Sequence, residues 1–288
     1  MIQDDRDDTI AFVDETEAVP DSGGACWRIL IVDDEPDVHE VTLLALRSVS
    51  IEGRSLAFLH ARSAAEAEAL LRWKTEEGQF VPPDRFIPLA EQSGLMVALG
   101  NWVMRSALQF LARLHSEGIS DFRMAINVSH VQFREPDFVE KLEAAIASCQ
   151  VAPSAVEIEL TESVAIENFA LIEQKLVALR RVGVAVAIDD FGTGYSSLSI
   201  LRRLDVDRLK IDRAFVSGEQ CVAEDSGIAR MVLQLASQLG LQTIAEGIEP
   251  EAQRQTLREL GCDEGQGYLF SRPLAADALL DFVKQGRA

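Results

Sequence analysis

The sequence predicts an α/β fold in which a mostly parallel sheet closes into a (β/α)8-type, TIM-like barrel. Three observations carry that prediction. Short apolar runs and amphipathic helical stretches alternate about six times with short connections, the signature of a parallel sheet wrapped by helices. Most of the apolar runs end in an acid, an amide or a lysine, and a barrel of this type places its chemistry at the C-terminal strand ends. At 288 residues the chain is long enough for one such barrel and an extra segment.

Taken in order, the first 22 residues are acidic and hold no apolar run, so residues 1–26 read as a disordered lead. Residues 28–34, Arg-Ile-Leu-Ile-Val-Asp-Asp, then form an apolar strand tipped by two acids, and an amphipathic helix follows from Val38 to Val49. This resembles the start of a response-regulator receiver domain, with residues 55–60 as its second strand and Ser63 to Leu71 as its second helix. The segment 27–67 is too short for a complete receiver. The strand that would carry a phosphorylated Asp is missing, so Asp33 and Asp34 lack the acceptor they would serve and no phosphorelay switch is expected. A Ser N-cap before an Ala/Glu/Leu run argues for a helix through Leu71. A barrel instead needs Glu68 on a strand, and the two readings compete. The family resemblance given below continues from Glu68 through Arg72-Trp73 to Pro88 and on that ground favours the strand; the run at 28–32 or the segment 55–61 would then stand in for missing barrel strands, or the barrel would stay open at an exposed edge.

Downstream, the strands are residues 124–129 (ending around Asn127), 156–162 (Glu159, Glu162), 184–188 leading into Asp189-Asp190, 208–212 (Lys210, Asp212), 242–246 (Glu246) and 264–270 (Gln266). Helical stretches run from Phe138 to Ser148, Asn168 to Val182, Ile228 to Leu239 and Pro250 to Leu260. Adjacent carboxylates at the tip of a buried strand repel each other and lose hydration, and a cation between them relieves both costs. The glycines of Asp189-Asp190-Phe191-Gly192-Thr193-Gly194 allow the sharp turn that follows.

These motifs resemble, in order and over about residues 66–284, the EAL family of bacterial cyclic-di-GMP phosphodiesterases. The resemblance rests on Glu68-Ala69-Leu70-Leu71-Arg72-Trp73, Pro82 to Glu91, Asn127-Val128-Ser129, Glu159-Leu160-Thr161-Glu162-Ser163, Asp189 to Ser197, Leu209-Lys210-Ile211-Asp212-Arg213, Ala245-Glu246-Gly247-Ile248-Glu249 and Gln266 to Pro273. It places the phosphodiesterase barrel at 68–288 and implies a (β/α)8-type fold with one antiparallel strand. It also implies metal-dependent hydrolysis of cyclic-di-GMP to linear pGpG. By resemblance, Glu68, Asn127, Glu159, Asp189 and Asp190 would hold two Mg2+ or Mn2+ ions. Glu246 would be a further ligand or the base, and Lys210 would orient and help ionise the attacking water. Thr161, Glu162 and Asp212 would support these groups, Glu162 by holding the 189–197 loop. Arg72 would meet substrate phosphate, Gln266 would lie near the substrate, and the chain would form a homodimer. Oxygen and amide donors suit hard cations, and cations would offset a carboxylate-lined site that otherwise repels a phosphodiester.

The net charge of −20 argues against a nucleic-acid surface. No signal peptide or long apolar run is visible, so a cytoplasmic protein that does not enter the membrane is expected. Cys26, Cys149, Cys221 and Cys262 have no Cys-x-x-Cys spacing, which suits a reducing compartment. The four His residues have no metal-ligand spacing. The alternatives to an enzyme are an EAL-like module that binds cyclic-di-GMP without cleaving it, or an interaction remnant with a receiver-like front.

Overall fold

The computed structural model describes residues 57–63, 66–74, 79–162, 164, 169–192, 201–216 and 227–286. The acidic lead, the receiver-like run with Asp33 and Asp34, and Thr193–Ser197 of the glycine loop lie outside the described residues.

Strand β1 (Ala57–Ser63) runs antiparallel to β2 (Glu66–Leu71). A separate small hairpin, β3 (Trp73–Lys74) and β4 (Phe80–Val81), leads into α1 (Pro83–Gln92), whose first residue is the proline that a helix start tolerates. Then come α2 (Met96–Ser116) and β5 (Arg123–Asn127). Ser129 caps α3 (His130–Arg134) by accepting from the Gln132 amide at 3.2 Å, so the chain turns from strand to helix directly after Asn127. The chain continues through α4 (Phe138–Cys149), β6 (Val156–Thr161), α5 (Phe169–Val182), β7 (Ala185–Phe191) and β8 (Arg208–Ile211). It ends with α6 (Arg213–Val216), α7 (Gly227–Leu239), β9 (Gln242–Ala245), α8 (Glu251–Glu259), β10 (Glu264–Gly265), β11 (Leu274–Ala275) and α9 (Ala276–Gly286).

The sheet order is β10-β9-β8-β7-β6-β5-β2-β1-β11. Strands β2 and β5 to β10 are parallel to their neighbours within this set, while β1 is antiparallel to both β2 and β11. The sheet is curled. In the ladder β7, β6 and β5 lie between β8 and β2, and strands about 4.8 Å apart would put those two roughly 19 Å apart in a flat sheet. Yet Arg208 Nη1 on β8 is 2.7 Å from Glu66 Oε1 on β2. The fold is therefore the expected TIM-like α/β barrel, with one antiparallel strand.

Alternation along each strand sorts its residues. Ile158, Leu160, Val186, Ile188, Leu209 and Ile211 point outward into a buried cluster with Leu108, Leu111, Leu142, Ile146, Leu176 and Leu179 of the surrounding helices. Each such side chain contributes about 1.5–3 kcal/mol when fully buried. The intervening positions face the lumen and carry the polar groups. Among the described residues no helix is long and apolar enough to cross a membrane.

Of the two competing readings at Glu68 the strand holds, and the bounds of two other segments shift. Residues 66–71 are strand, not the end of a helix over Ser63–Leu71. Pairing from Glu66↔Arg123 to Ala69↔Ile126 on one side, and with β1 on the other, outweighs an intrinsic helix preference of a few tenths of a kcal/mol per residue. The segment 55–61 does supply a barrel strand, β1, so the sheet begins ahead of the boundary drawn at Glu68. The strand expected over 264–270 is confined to Glu264–Gly265, and Gln266 follows it.

Candidate active site

Seven polar residues, five on strands and two directly after them, meet in the lumen toward the C-terminal strand ends. Lys210 Nζ lies 2.7 Å from Glu246 Oε1, 3.0 Å from Asp189 Oδ1, 3.1 Å from Glu159 Oε1 and 3.8 Å from Glu68 Oε1. Asn127 Nδ2 donates to Glu68 Oε1 at 2.6 Å. Gln266 Nε2 donates to Glu68 Oε2 at 2.9 Å and to Glu246 Oε1 at 3.0 Å. Glu68, Glu159, Asp189, Lys210 and Gln266 are buried, whereas Asn127 is exposed at its strand tip rather than enclosed in the apolar run. Glu68 thus stands on a barrel strand within the cluster, as the strand reading requires.

Local backbone explains two placements. Asp190 adopts φ +54°, a left-handed conformation that Asp tolerates better than most side chains. Its amide donates to Asp189 Oδ1 at 2.9 Å, and its carboxyl lies beside Asp212, with Lys210 near enough to oppose part of the rise in its pKa. Gly267 lets Gln266 dock, because a Cβ there would sit 2.1 Å from the Ile248 carbonyl oxygen. Ile248 N donates to Gln266 O at 3.0 Å and Gln266 N to Ala245 O at 2.8 Å, which fixes the amide beside Glu246.

The supporting residues have definite places. Glu162 is buried and accepts from Gly192 N at 2.8 Å, tying the end of β6 to the residue that follows β7. Asp212 accepts from Ala214 N at 2.7 Å and so starts α6. Thr161 is the register partner of Asp189. Arg72 follows β2 and donates from Nη1 to the Leu71 carbonyl at 2.9 Å.

Five carboxylates share this end of the lumen with one lysine. Burial pushes the Glu246 carboxyl up to about 7; Asp189 and Glu68 add to the rise while Lys210 opposes it. Burial also raises Asp190 to about 6, helped by Asp189 and Asp212. Two groups of carboxylate oxygens lie within 4.8 Å of one another, Glu68/Glu159/Asp189 and Asp189/Asp190/Glu246, with Asp189 common to both. An all-oxygen donor set with excess negative charge fits hard divalent cations.

One charged layer was not read from the sequence. Arg208, 2% exposed at its side chain, lies deeper in the lumen. Its Nη1 is 2.7 Å from Glu66 Oε1 and 3.2 Å from Glu157 Oε2, its Nη2 is 3.1 Å from Glu264 Oε1, and its Nε donates to Gln242 Oε1 at 3.1 Å. Arg123 flanks it, 3.6 Å from Glu66 and 3.9 Å from Glu264. The signal was present as charged or polar residues two apart: Glu66/Glu68, Glu157/Glu159, Arg208/Lys210 and Glu264/Gln266.

Comparison with known proteins gives a consistent picture. The family model described as EAL domain matches residues 58–273. The chain is 37% identical over 260 residues to cyclic di-GMP phosphodiesterase NbdA of Pseudomonas aeruginosa PAO1, covering 90% of this chain and 32% of that protein. It is 39% identical over 217 residues to signaling protein YkoW of Bacillus subtilis 168, covering 75% of this chain and 27% of YkoW. The chain therefore spans only about a quarter to a third of the length of these curated relatives. The solved c-di-GMP complex of the PaMucR phosphodiesterase superposes with a TM-score of 0.75 at 34% identity, over 84% of this chain and 98% of that one.

Proposed function

The chain belongs to the EAL domain family, and on that premise we propose that it hydrolyses cyclic-di-GMP to linear pGpG with the help of Mg2+ or Mn2+. The observation that carries this reading is Lys210, held at 2.7–3.1 Å by Glu246, Asp189 and Glu159 at the mouth of the barrel. The relatives named cyclic di-GMP phosphodiesterase and the c-di-GMP complex of PaMucR support the substrate.

Glu68, Asn127, Glu159, Asp189 and Asp190 would hold the cations. When bound, two such ions offset the site's negative charge, polarise the phosphoryl group and lower the pKa of bound water.

The chain's own residues do the rest. Lys210 hydrogen-bonds the attacking water and stabilises negative charge growing on its oxygen. Glu246, 2.7 Å from Lys210 Nζ, is placed beside that water and takes its proton. Attack forms a new P–O bond and breaks the bond from phosphorus to the ribose O3′, which takes up through solvent one proton, equivalent to the one Glu246 accepted and then releases. The product carries a 5′-phosphate and a free 3′-hydroxyl. Arg72 offers a planar guanidinium to substrate phosphate. Gln266 fixes Glu68 and Glu246 from the substrate side. Asp212, Glu162 and Thr161 support Asp190 and the loop after β7.

A binding-only module is the weaker reading; the enzyme is supported by Glu68, which stands on β2 and accepts from Asn127 Nδ2 at 2.6 Å. The family resemblance also supports a homodimer, checked by light scattering. The amino-acid sequence by itself adds an acidic lead at 1–26 and a receiver-like stretch at 27–67 without a phosphoacceptor. The deciding experiment incubates purified protein with cyclic-di-GMP and Mn2+ or Mg2+ and separates products by chromatography. Linear pGpG is expected; saturable binding without product would replace the enzyme with the binding module.

A further inference from the structure

The Arg208 layer takes no part in the chemistry proposed above. A buried ion cluster is often no more stabilising than a well-packed apolar layer of the same volume, so stability alone does not account for it. We propose that Arg208 is a positioning residue: by tying β2, β6 and β10 to β8 one layer below the carboxylates, it sets the separation of Glu68, Glu159 and Gln266 from Lys210. The proposal rests on the reading of the site given under Proposed function.

Register is the first argument. Arg208 stands two residues before Lys210 on β8, and its three acidic partners stand in the same relation to site residues. Glu66 precedes Glu68 on β2, Glu157 precedes Glu159 on β6, and Glu264 precedes Gln266 at the end of β10. A strand pinned at one residue cannot slide or tilt without moving the residue two further on, on the same face.

Topology is the second argument. Strands β8 and β2 are not neighbours in the sheet, so no backbone ladder sets the distance between them. The 2.7 Å contact from Arg208 to Glu66 crosses the lumen between those strands. Lys210 to Glu68, the longest of the four lysine contacts at 3.8 Å, crosses between the same two strands. Loss of the lower tie should therefore be felt first at Glu68. Geometry is the third. The guanidinium sends Nε, Nη1 and Nη2 to β9, to β2 and β6, and to β10 at once, from three nitrogens held in one rigid plane.

The test compares wild type with two variants of the full chain. The first is Glu66→Leu/Glu157→Leu/Arg208→Met, which replaces the cluster with apolar groups and leaves Glu264 beside Arg123. The second is Arg208→Lys. Folding is followed by near-UV circular dichroism, Mn2+ affinity by electron paramagnetic resonance, and kcat and KM with cyclic-di-GMP. The triple variant should fold with a melting temperature near or above that of wild type. Its Mn2+ affinity and kcat should each fall by about 10- to 100-fold, the range for residues that orient a metal ligand. KM should change by less than about twofold, because the loss falls on the chemical step. Arg208→Lys should show a smaller loss in the same two quantities. A folded triple variant with wild-type Mn2+ affinity and kcat overturns the proposal. If the triple variant fails to fold, a folded Arg208→Lys with wild-type values overturns it. Unfolding of both variants also overturns it, since the role is then purely structural. Mn2+ binding by a wild type that leaves cyclic-di-GMP intact refutes the proposed reaction while the affinity comparison still decides this point. A wild type that binds neither ligand refutes both.

Discussion

Lys210 carries one positive charge against the five carboxylates of the site, and the imbalance predicts which substitutions matter. Asp189 belongs to both carboxylate groups, and Glu159 is fully buried beside the lysine. Asp189→Asn or Glu159→Gln should lower kcat by about 100-fold or more, at or beyond the upper end for groups that orient a metal ligand. Asp277, which pairs with Arg113 at 2.6 Å and is 81% exposed, is the control. Asp277→Asn should leave both kcat and stability unchanged, because a surface pair contributes little. Wild-type turnover by Asp189→Asn would remove the carboxylates from the mechanism. Glu264 makes a separate prediction about pH. Burial, with Glu66 adding to it and Arg208 opposing, raises this carboxyl from 4.5 to about 7 in the folded chain. Between those values the folded state holds a proton that the unfolded state has lost. The stability this supplies is complete below pH 4.5 and is lost as pH rises through 7. Glu264→Gln should therefore raise the melting temperature relative to wild type at pH 8 and change it little at pH 5. Equal shifts at the two pH values would show that Glu264 ionises normally.

At the scale of elements, the turn after β10 is the most exacting piece of backbone near the site. A Cβ on Gly267 would collide with the Ile248 carbonyl oxygen at 2.1 Å, so Gly267→Ala must displace the backbone that presents Gln266 to Glu68 and Glu246. Gly261 also has a positive φ, +86°, but a Cβ there meets nothing within 4 Å. Gly261→Ala should cost only the backbone strain of about 1 kcal/mol and keep its activity, whereas Gly267→Ala should lose about 10-fold or more in kcat. Equal activities would show that Gln266 needs no fixed position. The sequence made the strand tips readable because each apolar run is short and ends in a polar group. It left β2 ambiguous because Ser63-Ala64-Ala65-Glu66-Ala67 favours a helix locally, and only pairing with β5 and β1 decides for the strand. The segment 264–270, with glycines at 265 and 267, carries the site residue Gln266 just past a two-residue strand, which periodicity does not resolve. Glu66, Glu157 and Arg208 were missed for a physical reason. Single charges inside apolar runs read as isolated, and only closure of the sheet brings four strands' alternate residues into one layer.

At the scale of the whole molecule, the lumen holds charge in two layers that are balanced differently. Around Arg208 and Arg123, three carboxylates face two guanidinium groups at distances of 2.7–3.9 Å, and that layer is close to neutral. Around Lys210, five carboxylates face one ammonium group, in a chain whose net charge is already −20. The upper layer is thus the place where a divalent cation should stabilise the folded state most. Binding to the native state alone raises stability by about 2.7 kcal/mol when the free ion is at 100 times its Kd. For a domain of about 200 residues, each kcal/mol raises the melting temperature by about 2–4 °C. Millimolar Mn2+ should therefore raise the melting temperature by several degrees, and excess chelator should reverse the change. Sodium chloride at matched ionic strength screens surface repulsion but cannot occupy a carboxylate site, so its effect should be much smaller. Asp189→Asn should lose most of the Mn2+ shift while keeping the salt response. An equal rise with sodium chloride, or an undiminished Mn2+ shift in Asp189→Asn, would mean that the ion acts on the overall charge and not at the strand tips.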